Sequence, residues 1–207
     1  MTAGMIIKVC GMRESENILS IDALGIDLMG FIFYPKSPRY VDALPDEMPK
    51  LARRVGVFVN ENIETICQRI AEFELDYVQL HGSESAEFCG EVAKKGVKII
   101  KAFSVDESFD FGVTDNYINH CDIFVFDTKC KGYGGSGEQF DWSLLNEYNG
   151  STPFLLSGGI TVDNLDGLKS FDHPQLVGYD LNSRFETEPA LKSREMLNIF
   201  LEQLSEE

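Results

Sequence analysis

Residues 54–103 read RVGVFVNENIETICQRIAEFELDYVQLHGSESAEFCGEVAKKGVKIIKAF, and this stretch decides the fold. It holds three short apolar runs rich in β-formers, Arg54–Val59, Tyr77–Leu80 and Lys98–Phe103. Between them the apolar spacing changes to that of an amphipathic helix, over Ile63–Phe73 and Ser85–Lys95. Alternating strand and helix implies parallel strands joined by right-handed crossovers. Strands that are apolar on both faces fit a sheet covered by helices.

The same alternation extends in both directions. Upstream, Ile6–Cys10 and Leu28–Phe33 read as strands, with helices over Ser15–Leu24 and Asp46–Arg53. Downstream, the strands are Ile123–Asp127, Pro153–Ser157 and Leu176–Leu181. Helical patterns follow at Phe111–Ile118 (weak), Ser143–Tyr148, Asp163–Leu168 and Leu191–Leu204. Eight units in 207 residues average about 26 residues each, close to the lower limit of a (β/α)8 TIM barrel. An open doubly wound sheet is the rival, but no G-x-G-x-x-G follows the first strand. No linker or low-complexity stretch marks a boundary, so residues 1–207 are expected to form one barrel domain.

Composition narrows the function. Eighteen basic residues face 34 acidic ones, a formal net charge of −16. So acidic a chain repels nucleic acid and anionic membrane surfaces. No apolar run is long enough to cross a bilayer, and no basic segment leads into an apolar one at the start. The five cysteines (Cys10, Cys67, Cys89, Cys121, Cys130) are odd in number and lack metal-ligand spacing. A reduced, cytoplasmic setting is expected, with no metal.

In a barrel of this type chemistry gathers where the strands end. The first strand gives Lys8 and Cys10, which share a face. The second leads into Tyr34-Pro35-Lys36-Ser37-Pro38-Arg39, and the fourth gives Gln79 and His81. The fifth carries Lys101, and the sixth gives Asp127 and Lys129. The seventh leads into Ser157-Gly158-Gly159, and the eighth into Asp180, Asn182, Ser183 and Arg184. Core packing has no use for a polar residue closing almost every strand. Each residue also has a plainer reading. Cys10 is either a buried thiol or a thiolate base helped by Lys8. Asp127 is either a salt-bridge partner of Lys129, a helix cap, or an acid. His81 is either a packed polar group or a substrate contact. Gly158-Gly159 is either a tight turn or an approach for a phosphate, the latter favoured by its place after the seventh strand. Lys131 to Gly137, four glycines in seven residues, reads as a loop able to close over a ligand.

These stretches, in order, are KVCG (8–11), GFIFYPKSPRYV (30–41), VGVFVN (55–60), VQLHG (78–82), FDTK (126–129), GGSGEQFDW (134–142), LSGGI (156–160) and the Asp180 end of the eighth strand. With them the chain resembles the phosphoribosylanthranilate isomerases of tryptophan biosynthesis. The resemblance implies an Amadori rearrangement of N-(5-phosphoribosyl)anthranilate, with no metal or organic cofactor. Its only required partner is the small phosphorylated substrate, and the chain is a monomer or homodimer. Asp127 then matches the general acid and Cys10 the general base. Arg39 matches the group that meets the anthranilate carboxylate; Lys8, His81 and Asp180 complete the substrate site. Gly158, Gly159, Asn182, Ser183 and Arg184 fall at the phosphate. The family pattern D-V-S-S-G-V-E-x-x-P-G is broken here, since Arg184 and Ala190 stand where glycines are usual. Related phosphate-binding barrels, or a barrel that binds without catalysis, are the alternatives; the Cys10/Asp127 pairing argues against both.

Overall fold

The structure, a computed structural model, describes residues 4–128 and 142–205. Lys129, Cys130, the 131–137 loop and the 134–142 motif up to Trp142 lie outside the described residues. Eight parallel strands close into a barrel: β1 (Ile6–Cys10), β2 (Leu28–Ile32), β3 (Arg53–Phe58), β4 (Tyr77–Leu80), β5 (Lys98–Val105), β6 (Ile123–Thr128), β7 (Phe154–Ser157) and β8 (Leu176–Leu181). The ring shuts where Ile7 pairs with Tyr179 and Lys8 with Asp180. The expected barrel is therefore present, with every strand within about two residues of its reading.

Strand parity separates two cores. Cys10, Leu28, Val55, Val57, Ile100, Ala102, Val125 and Leu155 point into the lumen. The alternate residues, among them Val9, Met29, Phe58, Val78, Ile99 and Phe124, pack beneath the helices. Of those helices, α1 spans Ser15–Asp22, α2 Ile63–Phe73 and α3 Ala86–Ala93. The helix α2 opens where Asn62 accepts the Thr65 N–H at 2.9 Å, and ends at Glu74 in the left-handed region. Phe73 at its end meets Phe31 and Phe33 with ring centroids 5.9 and 4.7 Å apart.

Among the described residues, 3₁₀ turns stand at Phe111–Tyr117 and Trp142–Glu147. The first was read as a weak helix; Gly112, Val113, Thr114, Asp115 and Asn116 are poor helix formers. Large rings cover the barrel there, with Phe126 5.0 Å from both Tyr148 and Phe154. His173 belongs to this packing, since its Nε2 lies 3.0 Å from the Tyr148 carbonyl.

Residues 46–53 are not helical, contrary to the sequence reading. Pro49 removes a donor from the middle of that segment. The buried Asp22 carboxylate replaces the helix, accepting the N–H groups of Lys50, Leu51 and Ala52 at 2.8–3.2 Å. Substituting Asp22→Ala would orphan three donors and is expected to cost about 3 kcal/mol of stability. A urea melt with an unchanged midpoint would exclude that account.

The C-terminal part also departs from expectation. Beyond β8, Glu186–Glu188 (β9) and Leu191–Lys192 (β10) form a small antiparallel flap. Helix α4 (Leu165–Ser170) and helix α5 (Arg194–Ser205) complete the shell. Leu191 and Lys192, read as helix, pair with β9 instead, because Asn17 on α1 clips both backbone groups of Lys192 at 2.8 Å.

Candidate active site

A cavity of about 190 Å³ opens at the carboxyl end of the strands. Its walls include Cys10, Gln79, His81, Asp127, Ser157, Gly158, Gly159, Asp180, Asn182, Ser183 and Arg184. Wider hollows, about 430 Å³ beside Trp142 and 590 Å³ beside α3, lie on the barrel's flank away from this convergence. Cys10 and Asp127 share the cavity because each has lumen parity on its own strand. The ring of strands sets β1 and β6 three positions apart, so the two groups face across the mouth.

Around Cys10 the space is tailored. A β-carbon at Gly30 would lie 2.8 Å from the Cys10 Sγ, so only glycine leaves room for the thiol. Gly11 has φ +79, and a β-carbon there would lie 2.6 Å from Arg39 Cδ. One layer deeper Lys8 is fully buried and donates to Asp180 Oδ1 at 2.8 Å. Burial opposes the Lys8 charge, but Asp180 and Cys10 outweigh it and hold its pKa above the usual lysine value. Burial also pushes the Cys10 thiol up, while Lys8 and Lys192 pull it back down; the balance stays above an ordinary thiol. Lys8 touches the site through Asp180 and Cys10 and is not itself a cavity wall.

On the opposite side His81 Nε2 lies 3.7 Å from Asp127 Oδ2, with side chains 31 % and 36 % exposed. Gln79 Nε2 is 3.1 Å from His81 Nδ1. If the amide donates there, His81 carries its proton on Nε2, facing Asp127. Gln79 Oε1 is buried without a hydrogen-bond partner among the described residues.

At the third corner Gly158 and Gly159 both have positive φ, +89 and +66. Asn164 pins this turn by donating to the Gly159 carbonyl at 2.8 Å and accepting the Thr161 N–H at 2.9 Å. Arg184 sits in a 3₁₀ turn, Ser183–Phe185, and not at positive φ, so its β-carbon is tolerated there. Ala190 does take φ +70, a left-handed conformation costing an alanine about 1–2 kcal/mol.

One sequence reading is corrected. Lys101 does not reach the rim cavity. Its neighbours Ile100 and Ala102 hold the lumen, so it points outward. There it donates to the Leu80 and Gly82 carbonyls at 3.1 and 2.8 Å and pairs with Glu84. His81, just past the end of β4, stands beside Asp127. Arg39 lies next to Gly11 but turns its Nε/Nη2 edge onto Glu186, at 2.6–3.0 Å, leaving Nη1 without a bond to any described residue. Gly30, Glu186 and Lys192 went unassigned in the sequence. The usable signals were the glycine inside a strand and the Glu of the D-V-S-S-G-V-E pattern, which falls on Glu186.

Fold and site together define an α/β-barrel enzyme whose cavity, at the carboxyl end of its strands, gathers a thiol, carboxyl groups and an imidazole. A family model described as N-(5'phosphoribosyl)anthranilate (PRA) isomerase matches residues 7–203. The N-(5'-phosphoribosyl)anthranilate isomerase of Phocaeicola vulgatus is 50% identical over 202 residues, covering 98% of both chains. That of Parabacteroides distasonis is 48% identical over 206 residues, covering 97% of this chain and 93% of its own. Among solved structures, a phosphoribosyl anthranilate isomerase in complex with reduced 1-(o-carboxyphenylamino)-1-deoxyribulose 5-phosphate superposes with a TM-score of 0.78. It is 30% identical, with 97% of this chain and 98% of that chain covered. The chain belongs to the N-(5'-phosphoribosyl)anthranilate isomerase family, and its activity is the isomerisation for which that family is named, a step of tryptophan biosynthesis. No described helix is long and apolar enough to cross a membrane, and the described residues hold no cluster of metal-binding side chains.

Proposed function

We propose that Asp127 is the general acid and Cys10 the general base of an Amadori rearrangement. The substrate is N-(5-phosphoribosyl)anthranilate and the product 1-(2-carboxyphenylamino)-1-deoxyribulose 5-phosphate. Asp127 protonates the furanose ring oxygen, and the ring opens to a protonated Schiff base. Cys10 takes the C2′ proton, giving an enolamine that tautomerises to the ketone. The steps are proton transfers and the cleavage of the C1′–ring-oxygen bond as the nitrogen lone pair forms C=N, so the reaction as drawn calls for neither metal nor organic cofactor. The observation that carries this reading is that Cys10 and Asp127 line one cavity with Gly158, Gly159 and Arg184.

The remaining roles follow from charge. The substrate has a phosphate at one end and a carboxylate at the other, and the chain carries −16. Local positive potential is therefore needed at both ends. Gly158 and Gly159 offer backbone N–H groups to the phosphate, joined by Asn182, Ser183 and Arg184. The Nη1 edge of Arg39, unbonded among the described residues, suits the carboxylate. His81 orients Asp127, and Lys8 with Asp180 fixes the floor beneath Cys10. We read the whole chain as one domain, working in the cytoplasm as a monomer or homodimer on this small phosphorylated molecule.

The test is turnover of substrate made in situ, followed by loss of its anthranilate-type fluorescence. A chain that binds but leaves the fluorescence constant is not this enzyme. Arg184→Ala is expected to raise KM roughly fivefold, with kcat nearly unchanged, because an exposed ion pair is worth about 1 kcal/mol. An unaltered KM would remove Arg184 from the phosphate site.

A further inference from the structure

Beside the cavity a buried charge cluster lies outside the acid–base scheme. Lys192, on β10, has a side chain with no solvent exposure. Its ammonium donates to Asn182 Oδ1 at 2.8 Å and to Glu186 Oε1. Glu186, 5 % exposed, also takes the Nε/Nη2 edge of Arg39 and the backbone N–H of Ala190 at 3.2 Å. The cluster adjoins the base, since a β-carbon on Gly11 would come within 3.4 Å of Lys192 Nζ and 3.0 Å of Asn182 Oδ1.

Charge counting shows what the cluster adds. Lys8 is matched by Asp180, whereas Arg39 and Lys192 share the single carboxylate of Glu186. Among the described residues, one positive charge is left over next to Cys10, in a chain of net charge −16. A structural clip has no need of that excess, and burying a second cation is costly without a use for it. The excess cation favours a thiolate, and the fork of Glu186 on Arg39 fixes where Nη1 points. The strained alanine is consistent with this. Ala190 keeps its left-handed φ where its N–H can reach Glu186.

We propose that Lys192 and Glu186 are positioning residues for this reaction. Lys192 supplies the uncompensated charge that activates Cys10. Glu186 aims the Arg39 guanidinium at the substrate carboxylate. The inference rests on the roles given above to Cys10 and Arg39, so its test reads the thiol directly.

The groups facing Cys10 are Lys8 on its own strand, Asp180 on β8, Lys192 on β10 and Arg39 from the segment after β2. Asp127 and His81 stand across the cavity. The rate of Cys10 alkylation by iodoacetamide is measured against pH in the folded protein, with peptide mapping to separate it from the other thiols. Lys192→Met removes the excess cation and is expected to slow Cys10 alkylation at pH 7 about tenfold, its profile moving to higher pH. Glu186→Gln removes the balancing carboxylate and is expected to speed it, while KM rises because Arg39 loses its fork. Opposite movements are the signature. A merely structural clip, once loosened, would shift both variants in the same direction, or neither, and either result overturns the proposal. Should Lys192→Met not fold, Glu186→Gln alone decides through the sign of its shift. If the thiol moves as expected in both variants but Cys10→Ala keeps its turnover, the acid–base assignment fails and the electrostatic coupling stands.

Discussion

Cys10→Ala is expected to lower kcat by about 10²–10⁴-fold, the usual worth of a general base. The barrel should remain folded, because the thiol ends at the open cavity and Gly30 already leaves the space around it. Cys10→Ser should not rescue, since a hydroxyl is a far weaker base in the same place. The useful readout is the residual reaction. With the base gone, removal of the C2′ proton limits turnover, so a substrate deuterated at C2′ should show its full primary isotope effect in the variant. Melting temperature and product-analogue affinity should stay near wild type. Turnover within a few-fold of wild type would mean that another group takes the proton. Lys8 is the nearest alternative, but Asp180, 2.8 Å away, still pairs with its ammonium, which has no lone pair to offer.

The sequence revealed the strands because each is apolar on both faces and sits between turn-forming residues. That is the signature of a barrel wall covered by helices. It also placed Cys10 and Asp127 at strand ends, and hence on one rim. Parity read wrongly has the opposite result. Lys101 was placed at the rim by its position late in a strand, yet one residue of register sends it outward onto the Leu80 and Gly82 carbonyls. The helix expected at 46–53 failed for a long-range reason, since Asp22 from another element satisfies that backbone.

The charge cluster at the flap could not be read from periodicity at all. Glu186 and Lys192 come together across a hairpin, and Arg39 joins them from 147 positions away in the chain. No spacing rule links three such residues. The family pattern drew attention to Arg184 and Ala190 as lost glycines, but only backbone angles separate them. Arg184 occupies an ordinary turn, whereas Ala190 keeps the left-handed conformation that the glycine would have held freely.

Asp127→Asn is expected to cost as much as the loss of the thiol, about 10²–10⁴-fold in kcat, but through a different step. The amide keeps the shape of the carboxyl group beside His81, whose Nε2 lies 3.7 Å from Oδ2. It cannot deliver a proton to the ring oxygen. Ring opening then limits the reaction, and the C2′ proton is removed only afterwards. The isotope effect from C2′ deuterium should therefore fall toward unity in Asp127→Asn, the reverse of its behaviour in Cys10→Ala. The contrast between the two variants assigns the steps, which a pair of equal rate losses could not. If both variants expressed the isotope effect alike, the acid and the base would be acting in one step, and the ordered opening of the ring before proton removal would be wrong. Because β1 and β6 present the two groups from different sides of the same mouth, acid and base can serve one ribose in sequence without the sugar turning over in the site.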